Sequence, residues 1–153
     1  MNSLVDKKLA YKIYEASQAG VKIQLIVRGI NVVIPGMPGI SENVEAISIV
    51  DQFLEHSRVY VFGNSGKPLY YISSADWMQR NFDHRVETLC PILDKEIQKE
   101  IMDMLQIQLK DNCKARLFGE HTLNQYRRSE GQTDHRSQFE TYEYFKNKLK
   151  RSK

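Results

Sequence analysis

Cysteine, tryptophan and proline are scarce in this sequence, with two, one and four residues in 153. Cys90 and Cys113 form no CxxC pair and have no histidine cluster beside them, which excludes a thiolate zinc site. They are expected to be buried thiols of a reduced, cytosolic protein. No apolar run approaches the roughly 20 residues of a membrane-spanning helix, and the N-terminus lacks a signal-peptide pattern, so a soluble chain is expected. Internal repeats and low-complexity blocks are also missing. A composition that is 41% apolar and 27% charged is ordinary for a globular domain and argues against disorder. The length suits one domain with a self-sufficient core.

Charge is present but uneven. The net charge is +3; residues 1–109 carry 11 basic against 13 acidic side chains, and residues 110–153 carry 11 against 6. The basic excess therefore lies in the tail, where it serves either a polyanionic partner or a solvated terminus. Lys114, Arg116, Arg127, Arg128 and Arg136 are its candidate anion guides.

The pattern along the chain is α/β, with a mixed β-sheet flanked by helices. Ser3 is placed to cap a first helix, with Asp6 three residues on and a stripe of Val5, Leu9, Ile13 and Ala16 that stops at Gly20. The run VKIQLIV (21–27) reads as a buried strand. Residues 29–43, with three glycines and two prolines, read as a long loop, which either lines a phosphate channel over 35–43 or crosses a sheet edge. Over 44–55, Ala46, Ile47, Val50, Phe53 and Leu54 recur at helical spacing, so a helix ending at His56 is expected. Strands over 58–62 and 69–73 flank the turn GNSGKP. After an irregular 75–85, a strand is expected over 85–92. Asp94 then caps a helix with Ile97, Ile101, Met104, Leu105 and Leu109 on one side. A last strand (114–118) and a loop (120–135) lead to a terminal helix with a Ser137–Glu140 capping box and a stripe of Phe139, Tyr142, Phe145 and Leu149. Trp77 is expected as a core or edge anchor.

Reactive groups concentrate in the middle of this layout. Arg28 ends an apolar strand, where open α/β sheets place ligand contacts. His56 and Arg58, two apart in FLEHSRVYVFG, share one face of an extended chain. A histidine beside a fixed positive charge suits phosphate chemistry, because guanidinium grips nonbridging oxygens and imidazole moves a proton near neutral pH. At the end of a helix the dipole would further favour the protonated ring.

The pair His56-x-Arg58, followed by SSADW (73–77), resembles half of a phospholipase D superfamily site, with Arg58 standing where that superfamily usually has Lys and Asp76 where it has Asn. The runs NSLVDKKLAYKIYEASQAGVKIQLIVRG, IPGMPGISENVEAISIVDQFLEHSRVYVFGN and YYISSADWMQRNFDHRVETLCPI resemble the C-terminal catalytic domain of polyphosphate kinases over nearly the whole chain. The resemblance implies a phospholipase D-like half, and reversible transfer of the terminal phosphate of ATP to polyphosphate. His56 is then the acid or base that assists while another histidine is phosphorylated, and Arg28 contacts the ATP phosphates, with Arg58 in the same substrate-binding group. It also implies that residues 1–153 are a single C-terminal domain, a fragment of a longer multidomain kinase. The phosphorylated histidine, the aromatic contact for adenine and the arginines that hold Mg2+ belong to an adjacent domain, so no metal is expected in this chain. Expected partners are ATP or ADP, polyphosphate and the neighbouring domains, with no nucleic acid. The full-length enzyme is expected to be a cytoplasmic homo-oligomer, with peripheral attachment to membrane left open. His84, His121 and His135 are expected to be solvated or structural. Two alternatives stand beside this reading: a homodimeric phospholipase D-like phosphodiesterase or nuclease, and a non-catalytic phosphate-binding module.

Overall fold

Among the described residues, four α-helices and six strands form where local chemistry and burial agree. The computed structural model describes residues 1–119, 124–128 and 131–151. Helix α1 (Lys7–Gln18) is capped by the Asp6 carboxylate, which accepts from Leu9 N–H at 2.9 Å. Ser3 is not the cap; it is buried three residues before Asp6, in an extended run described below. Strand β1 (Ile23–Ile26) pairs in parallel with β2 (Val44–Ile49), and β2 pairs antiparallel with β6 (Ala115–Leu117). A second, antiparallel sheet comprises β3 (Val59–Phe62), β4 (Leu69–Ser73) and β5 (Leu89–Pro91) in that order. Helices α2 (Gln79–His84), α3 (Lys95–Lys110) and α4 (Ser137–Arg151) complete the chain.

The helix expected over 44–55 is a strand followed by irregular chain. Strand β2 is buried on both faces: Val44 and Ala46 join the cluster around Leu4, Ile13, Leu25 and Val27, while Ile47 and Ile49 join Ala115 and Leu109. A strand with apolar side chains on both faces loses its two-residue alternation, and its spacing then imitates a helix. The β-branched Val44, Ile47 and Ile49 favour the pleated form. Because no helix precedes His56, the dipole argument for its ring is void.

The loop over 35–43 folds back on the end of α1. Gln18 Nε2 donates to Gly39 O at 3.0 Å and Asn43 Nδ2 to Ser17 O at 2.9 Å. This places it beside the first residue of β1, through Ile23 N–H to Asn43 O, whereas Arg28 lies past the other end of that strand. The channel-lining option is therefore not the one adopted. The strand expected over 85–92 is shorter, and part of the irregular 75–85 is α2. Cys90 is exposed and Cys113 half-buried, against the expectation of two buried thiols, because β5 is an edge strand with every residue exposed. Asp94 caps α3 as expected, accepting from Glu96 and Ile97. The α4 stripe is largely open, with Phe139, Tyr142 and Leu149 exposed. Among the described residues no helix is long and apolar enough to cross a membrane.

The expected capping box is replaced by a different device. Asp111, fully buried, accepts from the N–H groups of Cys113, Lys114 and Ala115 with one oxygen and from Ser137 N–H with the other, at 2.7–3.0 Å. It thus fixes the start of β6 and the start of α4 together, and Glu140 turns instead to His135 Nδ1 at 2.9 Å. Burial pushes the Asp111 carboxyl up, but its N–H donors outweigh this and hold it below the ordinary carboxylate value. A depressed folded-state value means stabilisation that is complete above the unfolded value of about 3.9 and drains away as pH falls through the lower folded value. We expect Asp111→Ala to cost about 3 kcal/mol in denaturant unfolding, because it strands several buried donors. Asp111→Asn should flatten the loss of stability below about pH 4.

Candidate functional site

The site is assembled where the two sheets meet. Residues 1–5 run extended between them: Leu4 N–H donates to Ile30 O on one side, and Val5 and Asp6 N–H donate to Trp77 O on the other. This run seats Asn2 beside both the end of β1 and the turn after β4. Trp77 is half-buried against the core and lies 5.2 Å, centroid to centroid, from Tyr60, an anchor as expected.

The structure brings Arg28, His56 and Arg58 together. Arg28 Nη2 is 3.3 Å from His56 Nδ1, and Arg58 Nη2 is 2.7 Å from His56 Nε2. His56 is exposed, while both arginines are half-buried. A guanidinium only donates, so Nε2 accepts from Arg58 and the remaining Nδ1–H of a neutral ring faces another donor, Arg28. That unmatched contact is relieved if an anionic oxygen enters between Nδ1 and Arg28 and accepts from both. Among the described residues, Arg58 Nε is also buried without an acceptor.

Each guanidinium is held from behind. Asn2 Oδ1 accepts from Arg28 Nε at 3.0 Å and Nη2 at 2.7 Å. Asp76, 5% exposed, accepts from Arg58 Nη2 at 3.1 Å with Oδ2, and from the N–H groups of Asn2 and Ser3 at 2.8 and 3.1 Å with Oδ1. Burial pushes the Asp76 carboxyl up, yet Arg58 and those N–H groups overcome it and hold the group below its ordinary value. Asp76 therefore stays ionised and keeps Arg58 aimed at the ring.

The chain leading to His56 has no regular structure, and Arg136, just before α4, fixes it together with side chains of α3 and α4. Arg136 forms a bidentate pair with Asp51 at 2.7 and 2.8 Å. The Gln138 amide exchanges two hydrogen bonds with the Phe53 backbone, and Glu55 accepts from Gln108 and Gln138. Burial apart, Asp51 is held below the ordinary carboxylate value chiefly by its hydrogen bond from Arg136.

The remaining candidates lie elsewhere. His84 is exposed at the end of α2, His135 pairs with Glu140, and His121 lies outside the described residues. Arg116 shares a cavity of about 440 Å³ with Arg28 but stacks on Tyr126. Arg127 donates to Leu109 O, and Arg128 pairs with Asp134. Asn2, Gln108 and Gln138 escaped sequence reasoning, because only tertiary pairing brings them to the site.

Residues 1–138 match the family described as Polyphosphate kinase C-terminal domain 2. The chain belongs to this family. The polyphosphate kinase of Vibrio cholerae serotype O1 (strain ATCC 39315 / El Tor Inaba N16961) is 48% identical over 153 residues, covering 100% of this chain and 22% of that protein. That of Staphylococcus haemolyticus (strain JCSC1435) is 58% identical over 121 residues, 79% of this chain and 17% of that protein. The crystal structure of polyphosphate kinase from Porphyromonas gingivalis superimposes with a TM-score of 0.92 at 47% identity, over 97% of this chain and 23% of that one. The chain thus spans about a fifth of the length of the curated relatives it matches.

Removing the clamp on the approach to His56 should disturb both fold and site. The Asp51 side chain is 2% exposed and its Arg136 partner 38% exposed. Loss of the guanidinium leaves the Asp51 carboxylate without its charged partner, a cost that the solvent exposure of Arg136 moderates. Arg136→Ala is expected to lower the midpoint in denaturant titrations and to shift the His56 ring resonances in NMR spectra.

Proposed function

We propose that this domain supplies the phosphate-gripping half of a kinase active site that moves the terminal phosphoryl group reversibly between ATP and polyphosphate. The observation that carries the proposal is one exposed imidazole flanked on both ring nitrogens by guanidinium groups. Membership of the polyphosphate kinase family supports it. Phosphoryl transfer is accelerated mainly by positioning and by neutralising charge on the transferred group. Arg28 and Arg58 provide fixed positive charge on either side of a single ring, and His56 is the one group between them able to give or take a proton.

In this reading Arg28 binds the ATP phosphates, and Arg58, oriented by Asp76, binds the transferred group or the polyphosphate end. His56 passes a proton to the departing phosphate oxygen in one direction and recovers it in the other. The histidine that becomes phosphorylated, the aromatic contact for adenine and the arginines that hold Mg2+ are assigned to an adjacent domain of a longer, cytoplasmic enzyme, which we take to be a homo-oligomer. A phospholipase D-like ancestry accounts for the His-x-Arg and SSAD pattern. The site residues here do not suit Mg2+: the cluster is cationic, and its carboxylate, Asp76, is already engaged by Arg58 and two N–H groups.

Two outcomes follow. The 153-residue chain alone should bind inorganic tripolyphosphate weakly, with affinity that falls as salt rises, and should turn over no ATP, since it lacks the in-line nucleophile. In the full-length enzyme, His56→Ala should lower kcat by roughly 10²- to 10⁴-fold, while Arg28→Ala should chiefly raise KM for ATP, by about tenfold or more. Robust ATP-dependent polyphosphate synthesis by the isolated chain, or an unaffected His56→Ala enzyme, contradicts the proposal.

A further inference from the structure

Arg28 borders a cavity of about 440 Å³ that the proposed chemistry leaves unused. The sheet sets a row of polar side chains along it. Arg28 follows β1, Ser48 lies beside it in β2, and Arg116 in β6 is the antiparallel partner of Ser48. Ser48 Oγ donates to Arg28 O at 2.8 Å, which ties the first two together. Residues directly opposite in an antiparallel pair project from the same face, so Ser48 and Arg116 share one. With neighbouring strands about 4.8 Å apart, the backbones carrying Arg28 and Arg116 are separated by about 10 Å.

The charge at this cavity is unbalanced. Among the described residues that line it there is no aspartate or glutamate, and both arginines are held by uncharged oxygens. Asn2 Oδ1 accepts from Arg28. Arg116 donates from Nη1 to Asn124 O at 3.0 Å and from Nη2 to the Tyr126 hydroxyl at 2.8 Å, and its guanidinium carbon lies 4.2 Å from the centre of the Tyr126 ring. By contrast, Arg58, Arg128 and Arg136 are each paired with a carboxylate. Two like charges on one cavity without a counter-charge favour an anionic occupant. Stacking on Tyr126 does not remove Arg116 from that role. It fixes the guanidinium in advance, and these contacts use only two of the five N–H donors.

We propose that this cavity is a polyphosphate subsite, in which Arg116 binds the chain beyond the phosphate held at His56, so that Arg28 and Arg116 grip one extended phosphoanhydride. The proposal rests on the reading of the His56 cluster as a phosphoryl-transfer site and adds a selectivity to it. Arg28 is turned toward Asn2 and His56, while Arg116 is turned toward Asn124 and Tyr126. The two therefore do not converge on a single phosphate, whereas a chain of phosphates reaches both. ATP, whose phosphates end in a ribose, uses Arg28 alone. Long polyphosphate gains a second charge-assisted contact, and Arg116 is the residue that makes the site prefer long chains to short ones.

The test measures the full-length enzyme in the ATP-forming direction, with ADP and inorganic polyphosphate of two lengths, tripolyphosphate and long chain. Arg116→Ala should raise KM for the long chain by about tenfold or more while KM for tripolyphosphate and for ADP changes by less than about twofold. Arg116→Lys, which keeps the charge, should recover most of the preference. The ratio of the two polyphosphate KM values is read on one preparation, so a partly unfolded variant does not alter it. Arg28→Ala, expected to raise KM for nucleotide, tests the reading on which the proposal rests. If Arg28→Ala has that effect and Arg116→Ala leaves the chain-length ratio unchanged, the subsite proposal alone is overturned. If neither variant has an effect, both fall. An Arg116→Ala enzyme whose KM for ADP rises as much as that for the long chain makes the cavity a nucleotide site, and this too overturns the proposal.

Discussion

A single buried carboxylate, Asp76, holds the two halves of this molecule in register. It follows β4, yet it binds the backbone of the N-terminal run that is hydrogen-bonded to the extension of β1, and it binds Arg58 at the start of β3. A buried carboxylate is tolerated only when donors replace its water. Here three do, a guanidinium and two peptide N–H groups, and they depress its pKa despite burial. Separating the sheets would strand that charge, so the constraint is strong in proportion to how dry the position is.

The chemistry of the site follows from this constraint. Arg58 is aimed by Asp76, and Arg28 is aimed by Asn2, whose own N–H is bound to Asp76. The two guanidinium groups therefore share one support and take up fixed positions around His56. Fixed cations are what the proposed phosphoryl-transfer role requires, because charge that is already in place costs no reorganisation when it develops on the substrate. The approach to His56 is braced independently, through Asp51, Phe53 and Glu55, by Arg136, by Gln138 of α4 and by Gln108 of α3. The C-terminal helices thus reach the site by position, not by contributing a reactive group.

How much of this was legible in the sequence depends on whether the signal was local. The Asp94 cap and the strand over 69–73 are local features, and they formed where the sequence placed them. Strand β2 was misread as a helix because burial on both faces erases alternation, and because its parallel partner lies across a long loop with no local trace. Ser137 and Glu140 have capping-box spacing, but Asp111, remote in sequence, takes the N–H that the box would have used. The cluster Arg28, His56 and Arg58 was accessible through its resemblance to a family; the positions of Asn2 and Gln138 were not, since their roles exist only after the sheets have met.

The most direct test of the central claim is an NMR titration of the chain with inorganic tripolyphosphate, following the ring nitrogens of His56 together with the Nε signals of Arg28 and Arg58. If one anion sits between these three side chains, all of their signals move along a single binding curve. If the arginine signals move while the imidazole does not, or if the three report separate events, the imidazole is not part of a shared phosphate site and the account fails.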